Sequence, residues 1–191
     1  FGTPETELQT QLLTNYRKDV LPLINNSRVN VNLGIALRAL NDIDHISGKL
    51  NINIWLRYKW QDEYLTWSQD TNIESLHFYT DYMHSESIWI PDIYLYNTAE
   101  RPMNELDYTI ANVYGDGTVF WSRPGLIKST CVFNLTYFPF DEQTCKLKFG
   151  SWAYDTYNIC INDVKNNSID NGRNPHRFSG KGMRSTLSTF L

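Results

Sequence analysis

The sequence predicts an all-β protein, a sandwich of short antiparallel strands behind one N-terminal helix. Three observations lead there. Apolar and polar residues alternate with period two over long stretches, turn residues separate those stretches, and no helical segments are interleaved with the strands as an α/β fold requires. At 191 residues the chain is long enough to bury a core as a single domain over 1–191. Its expected parts are a helical segment over 1–18, a sandwich over 29–161, and a divergent, shortened segment over 162–191.

The elements follow in order. Thr3 is placed to cap a helix with Pro4 at its first position, and Leu8, Leu12 and Tyr16 then recur every four residues along one face. Val29, Val31, Leu33, Ile35 and Leu37 share one face of a first strand; Leu50, Ile52, Ile54, Leu56, Tyr58 and Trp60 share one face of a second. Further strands are predicted at 88–96, 108–114, 118–122, 126–138 and 145–161, with Gly115-Asp116-Gly117 as a hairpin turn. From Lys165 onward the chain is rich in Asn, Ser, Gly and Arg and lacks Tyr and Trp, which predicts loop and at most one weak strand.

Composition narrows the function classes. Net charge is −4, from 17 basic and 21 acidic residues, and no basic stripe is present, which argues against a nucleic-acid partner. No apolar run approaches the ~18 residues of a membrane helix, so a soluble domain is expected. Sequons stand at Asn25, Asn134 and Asn166 and point to an extracellular, oxidising setting. Asp42, Asp44 and His45 read as a polar turn ending at Gly48 rather than a metal cluster, and His77, His84 and His176 lack ligand spacing. Ser151 lacks a nucleophile-elbow context. Phosphate-binding glycine loops are absent as well. No catalytic residue, metal or cofactor is therefore expected, and no enzymatic activity.

Two tryptophans break the alternation. If Ile52, Ile54 and Leu56 face the core, Trp55 lies on the opposite face with Asn51, Asn53, Arg57 and Lys59. If Cys145, Leu147 and Phe149 face the core, Trp152 shares the other face with Lys146, Lys148 and Gly150. Two readings are open: the rings form an interface or ligand cage, or a bulge or strand end turns them back inward.

Cys131 and Cys145 enclose the thirteen residues VFNLTYFPFDEQT, with Phe138-Pro139-Phe140-Asp141 inside, and Pro139 between two rings favours a tight turn. This segment resembles the signature loop of the Cys-loop family, the pentameric neurotransmitter-gated channels and their soluble acetylcholine-binding relatives. Three further stretches carry the resemblance. Trp89-Ile90-Pro91-Asp92-Ile93-Tyr94-Leu95-Tyr96-Asn97 is similar to the family's first principal-face loop, and Lys146 to Trp152 (KLKFGSW) to the second. Asn53-Ile54-Trp55-Leu56, followed by Trp60 and Tyr64-Leu65-Thr66-Trp67, is similar to the complementary-face strand. The match spans roughly residues 1–160.

The resemblance implies an immunoglobulin-like twisted sandwich of about ten strands and a Cys131–Cys145 disulfide. Cys160 would then be a free, buried thiol. It implies ligand contacts at Tyr96 and Trp152 on the principal face and at Trp55 on the complementary face. By spacing from Pro124-Gly125 and Cys131, Asn112, Phe120 and Ser122 match the remaining complementary positions, though their residue types differ from the nicotinic pattern. It further implies a homopentamer or heteropentamer, a small cationic or amphiphilic ligand, an extracellular location, and a membrane channel domain in the parent protein or a secreted binder. One departure stands out: there are no adjacent cysteines and no Tyr after Tyr157, so the capping hairpin over the ligand is expected to be incomplete. The alternative is a pentameric scaffold that has lost classical neurotransmitter binding; a secreted β-sandwich enzyme is a third, for which no residue constellation speaks.

Overall fold

The computed structural model of the chain describes residues 2–68, 72–81, 83–100, 109–138, 140–141, 143–163, 177–178 and 185–190. It is a two-sheet β-sandwich with one helix. Helix α1 spans Pro4–Leu13, shorter than the predicted segment; Thr3 caps it through a 3.4 Å bond from the Thr6 amide, and Pro4 occupies the first turn. Leu8, Leu12 and, just beyond the helix, Tyr16 pack against the core as their spacing demands.

The strands are β1 (Val29–Asp44), β2 (Lys49–Gln61), β3 (Ser75–Phe78), β4 (Ile93–Leu95), β5 (Ala111–Tyr114), β6 (Thr118–Thr130), β7 (Thr144–Ser151), β8 (Ile159–Asp163), β9 (Arg177–Phe178) and β10 (Ser185–Phe190). One sheet runs β3-β5-β6-β2-β1-β8 and the other β4-β7-β10-β9. All pairs are antiparallel except β1 with β8, which is parallel. Between the sheets lie the alternate residues Ile52, Ile54, Leu56, Tyr58 and Trp60 of β2, with Val119 and Trp121 of β6 and Leu147 and Phe149 of β7, each 2% exposed or less. Tyr58 stacks on Trp121 at 5.0 Å between centroids.

Several expectations are corrected. The strands predicted at 118–122 and 126–138 begin as one continuous β6 that ends at Thr130. Pro124 sits inside it because β5 pairs with β6 only at Val119 and Phe120, so the missing amide of Pro124 faces an edge with no β5 partner. The predicted strand at 145–161 is instead β7 and β8, separated by a turn that Asp155 ties through its carboxylate to the amides of Tyr157 and Asn158. Of the strand predicted at 88–96 only Ile93–Leu95 forms a strand. Ile88 and Trp89 are buried core plugs instead, with Trp89 edge-on to Trp60 at 6.0 Å. The C-terminal region holds two strands, not at most one: β9 and β10 pair as Leu187↔Phe178 and Ser188↔Arg177, and β10 extends the second sheet alongside β7. Tyr108, Pro139, Asn166 and His176 lie outside the described residues.

Two glycines fix turns. Gly117 closes the β5–β6 hairpin at φ +81°, where an added Cβ would stand 2.4 Å from the Asp62 carbonyl oxygen. Gly48 closes the β1–β2 turn at φ +67°, and its carbonyl accepts the Cys131 amide at 2.8 Å. In that turn Asp44 accepts the amides of Ile46 and Ser47, an Asx turn just before Gly48 where a polar turn is expected, while Asp42 still pairs with Asn51 inside the ladder. Cys131 and Cys145 are joined by a disulfide. Cys160 is free and half-buried rather than buried: β8 turns Ile159 to the core, so the thiol faces the other way.

Candidate functional site

The principal-face residues meet at the joint of β4 and β7. Ile93, Tyr94 and Leu95 pair with Ser151, Gly150 and Phe149, which sends Leu95 and Phe149 inward and Tyr94 and Tyr96 outward. Tyr96 continues the ladder through its amide to the Lys148 carbonyl at 2.8 Å. Its ring lies on Gly150, with Cε2 only 2.7 Å from where a Cβ would be, and its hydroxyl donates to the Ser151 carbonyl. Gly150 is required because the ring occupies the space a side chain would fill.

Trp152 is the first residue past β7, 78% exposed, and its backbone is clamped. The Asp92 carboxylate accepts the Ser151 hydroxyl at 2.6 Å, the Trp152 amide at 3.1 Å and the Ala153 amide at 2.6 Å. The Ser151 hydroxyl oxygen in turn accepts the Tyr154 amide at 2.9 Å. Asn97 ties the same joint together: its side-chain amide donates to the carbonyls of Thr130 and Lys146, and its oxygen accepts the Lys148 amide at 2.9 Å. Tyr94 stands edge-on to Trp152 at 6.5 Å between centroids. The sequence reading missed Tyr94 and Asp92 as members of this cluster. The signal for Tyr94 was there, since period two puts it on the face of Tyr96.

The complementary residues lie on one outer face of the six-stranded sheet. Asn112 of β5 is opposite Phe120 of β6, Phe120 is opposite Lys59 of β2, Ser122 is opposite Arg57, and Trp55 is opposite Pro124. Residues directly opposite each other share a face, so Trp55, Asn112, Phe120 and Ser122 form a patch across three strands. Trp55 is 40% exposed, and the other three are half-buried. Neither tryptophan turns inward, which resolves the two readings left open above in favour of exposed rings. The principal cluster and this patch lie on different sheets.

Arg38 and Arg57, which the sequence reading did not single out, carry guanidinium carbons 5.2 and 5.8 Å from the Trp55 ring centroid.

A separate polar contact anchors the helix. The Tyr16 hydroxyl donates to Asp62 at 2.5 Å and accepts the Trp89 amide at 3.0 Å. Burial pushes the Asp62 carboxyl up to about 6, against the opposing pull of the Tyr16 hydroxyl and two backbone amides, and burial likewise raises Tyr16. Among the described residues no His, Cys, Asp and Glu cluster could hold a metal ion, and no helix is long and apolar enough to cross a membrane.

The sequence matches the neurotransmitter-gated ion-channel ligand binding domain over residues 5–189, which extends into the C-terminal strands beyond the predicted limit of 160. It is 37% identical over 167 residues to the neuronal acetylcholine receptor subunit alpha-2 of Gallus gallus, covering 86% of this chain and 31% of the relative. It is 39% identical over 168 residues to the acetylcholine receptor subunit alpha-like 2 of Drosophila melanogaster, covering 86% and 28%. With the acetylcholine receptor subunit alpha-L1 of Schistocerca gregaria the identity is 38% over 167 residues, covering 86% and 29%. The chain thus spans about a third of the length of these relatives. The β-sandwich, the bridged Cys131–Cys145 loop and these matches together place the chain in the Cys-loop receptor family, as a neurotransmitter-gated ion-channel ligand-binding domain of nicotinic acetylcholine receptor type.

Proposed function

We propose that this domain assembles as a homopentamer or heteropentamer outside the cell and binds an organic cation or amphiphile in an aromatic cage between subunits. Tyr96 and Trp152, with Tyr94, form one wall. Trp55, Asn112, Phe120 and Ser122 of the next subunit form the other. The domain acts either as the outer part of a receptor with a membrane channel domain in the parent protein, a reading that the greater length of its relatives leaves room for, or as a secreted binder. The domain recognises its ligand and does not transform it.

The observation that carries this reading is Trp152. A large ring left 78% exposed forgoes the stabilisation of burial, yet its backbone is fixed by three hydrogen bonds around Asp92 and its ring is flanked by Tyr94. Such a ring is held for a partner. Its quadrupole attracts an ammonium by ~0.5–2 kcal/mol per contact, more when water is excluded. The two aromatic clusters lie on different sheets of one chain, which favours a site shared between copies. Such an interface joins unlike patches and closes into a ring.

Affinity for acetylcholine is expected to be low and exchange fast. The stretch between β9 and β10, Ser179-Gly180-Lys181-Gly182-Met183-Arg184, contains neither an aromatic residue nor a cysteine to close over the ligand, and loss of a lid acts mainly on the off-rate. Light scattering should give about five times the chain mass of 22.3 kDa. Calorimetry should show weak binding of acetylcholine and a larger quaternary amine, abolished by Trp152→Ala. A strict monomer, or binding indifferent to Trp152→Ala, would refute the reading; a pentamer that binds neither amine would establish the scaffold alternative.

A further inference from the structure

The segment that leads into β4 is fastened from outside the sheets. Residues 88–91 are all buried and belong to no strand, so the Trp89 amide needs a partner outside the ladders. It finds the Tyr16 hydroxyl at 3.0 Å, and that hydroxyl gives its single proton to Asp62 at 2.5 Å. The other carboxylate oxygen of Asp62 accepts the Tyr64 amide at 3.0 Å, and Asp62 itself is wholly buried. Tyr16 and Glu63 are the titratable groups acting on Asp62, and Glu63 opposes its charge as burial does. Three residues beyond Trp89 stands Asp92, whose carboxylate fixes the backbone at 151–153.

We propose that Asp62 and Tyr16 are positioning residues of the ligand site, joined to Asp92 and Trp152 through the segment at 89–92, so that a proton on Asp62 loosens the site. The proposal rests on the intersubunit cage described above. Every bond in this relay fits a charged Asp62, which accepts on both oxygens and donates nothing. A proton on the oxygen facing the Tyr64 amide sets two donors against each other, so the proton settles on the oxygen facing Tyr16. There it displaces the hydroxyl's own proton, which has no second acceptor among the described residues, and the hydroxyl turns away from Trp89. Burial opposes the charge and the hydrogen bonds favour it, a balance that sets the Asp62 carboxyl at about 6. The fold as a whole gains from the proton because the cost of burying the charge outweighs these bonds, whereas the segment at 89–92 loses its fastening. Affinity should therefore rise as pH rises through 6, and ligand binding should release a proton.

Amide resonances of the assembled protein read the relay without any ligand. Between about pH 5 and about pH 7.5, the amides of Tyr64, Trp89, Trp152 and Ala153 should shift with a common midpoint near 6. Asp62→Asn should flatten all four. Tyr16→Phe, which keeps the carboxyl but cuts the relay, should leave Tyr64 titrating and flatten the others. Choline serves as the ligand probe because its charge is fixed over this range. Calorimetry should show its affinity rising about fivefold from about pH 5 to about pH 7 in the wild type and changing little in either variant. A shift at Tyr64 alone in the wild type, or titration at 152 and 153 that survives Tyr16→Phe, overturns the relay. Choline affinity that is flat with pH, or whose pH dependence survives Asp62→Asn, overturns the coupling to the ligand. Absence of choline binding at millimolar concentration and any pH, with 152 and 153 titrating through Tyr16, overturns the cage and leaves the positioning role standing.

Discussion

Asp92→Asn tests how Trp152 is held. The wild-type carboxylate accepts three hydrogen bonds, from the Ser151 hydroxyl and from the amides of Trp152 and Ala153. Asparagine keeps one acceptor oxygen and turns a donor toward groups that are themselves donors. Hydrogen bonds to a charged group are worth ~1.5–3 kcal/mol each when buried. Asp92 is only half-buried and water can reach the two exposed residues, so the expected loss is about 2 kcal/mol in all. For a domain of this size each kcal/mol lowers the melting temperature by ~2–4 °C, which gives a fall of about 4–8 °C. Amide hydrogen exchange should report the same event locally, with protection lost at residues 152 and 153 and kept in β2. Ligand affinity should fall because the ring is no longer fixed before binding. A melting temperature within about 1 °C of wild type, with protection at 152 and 153 intact, would refute the reasoning.

Gly150→Ala would place a methyl group 2.7 Å from the Tyr96 ring; because the ring is the free end of a side chain it can swing away, so titration should show lost ligand binding while stability changes by less than about 1 kcal/mol. Asp62 has a folded pKa raised to about 6 by burial, so the native state holds its proton more tightly than the unfolded chain and this residue's contribution improves as pH falls from 7 toward 4. Denaturant unfolding of wild type and Asp62→Asn across that range should therefore show the wild type losing ground to the variant as pH rises through 6, whereas a constant difference would contradict the assignment. Replacing Cys131 and Cys145 by Ser should cost ~3 kcal/mol for a loop of this length, read by denaturant unfolding. Alkylation of the unfolded wild-type protein should label Cys160 alone.

Much of the sandwich was legible because burial imposes a period the eye can read. β2 keeps strict alternation between a core face and an open one, and its start and end follow the sequence reading closely. β1 alternates only at its start, is buried on both faces over residues 33–36 and runs on to Asp44, beyond the alternation that ends at Leu37. The failures have physical causes. Pro124 looks like a strand breaker, yet it lies beyond the part of β6 that β5 pairs with, where its missing amide costs no bond to β5. Ile88 and Trp89 are as apolar as any strand but fill the core through irregular backbone. The polar composition of 177–190 hides two strands, because β10 gains its place by pairing with β7 rather than by its own propensity. At the site, the outward rings of Trp55 and Trp152 were visible as breaks in alternation. The neighbourhood of Arg38 and Trp55 was not, because it depends on the β1–β2 register that sets Ala36 opposite Trp55, and periodicity gives the face of a residue but not its partner across the ladder. Asp92 was visible only as part of a motif; its bonds to residues 151–153 cross about sixty positions of sequence.

The central claim is that the ligand site is built from two different subunits, and subunit complementation tests it most directly. Trp152→Ala removes the principal wall and Trp55→Ala the complementary wall, so a pentamer of either variant alone should bind no quaternary amine. Coassembly of the two in equal amounts places an intact principal face against an intact complementary face at about a quarter of the interfaces. The account predicts that this mixture recovers about a quarter of the wild-type binding capacity at wild-type affinity. Failure of the coassembled mixture to recover any sites, or full binding by either variant alone, would contradict it.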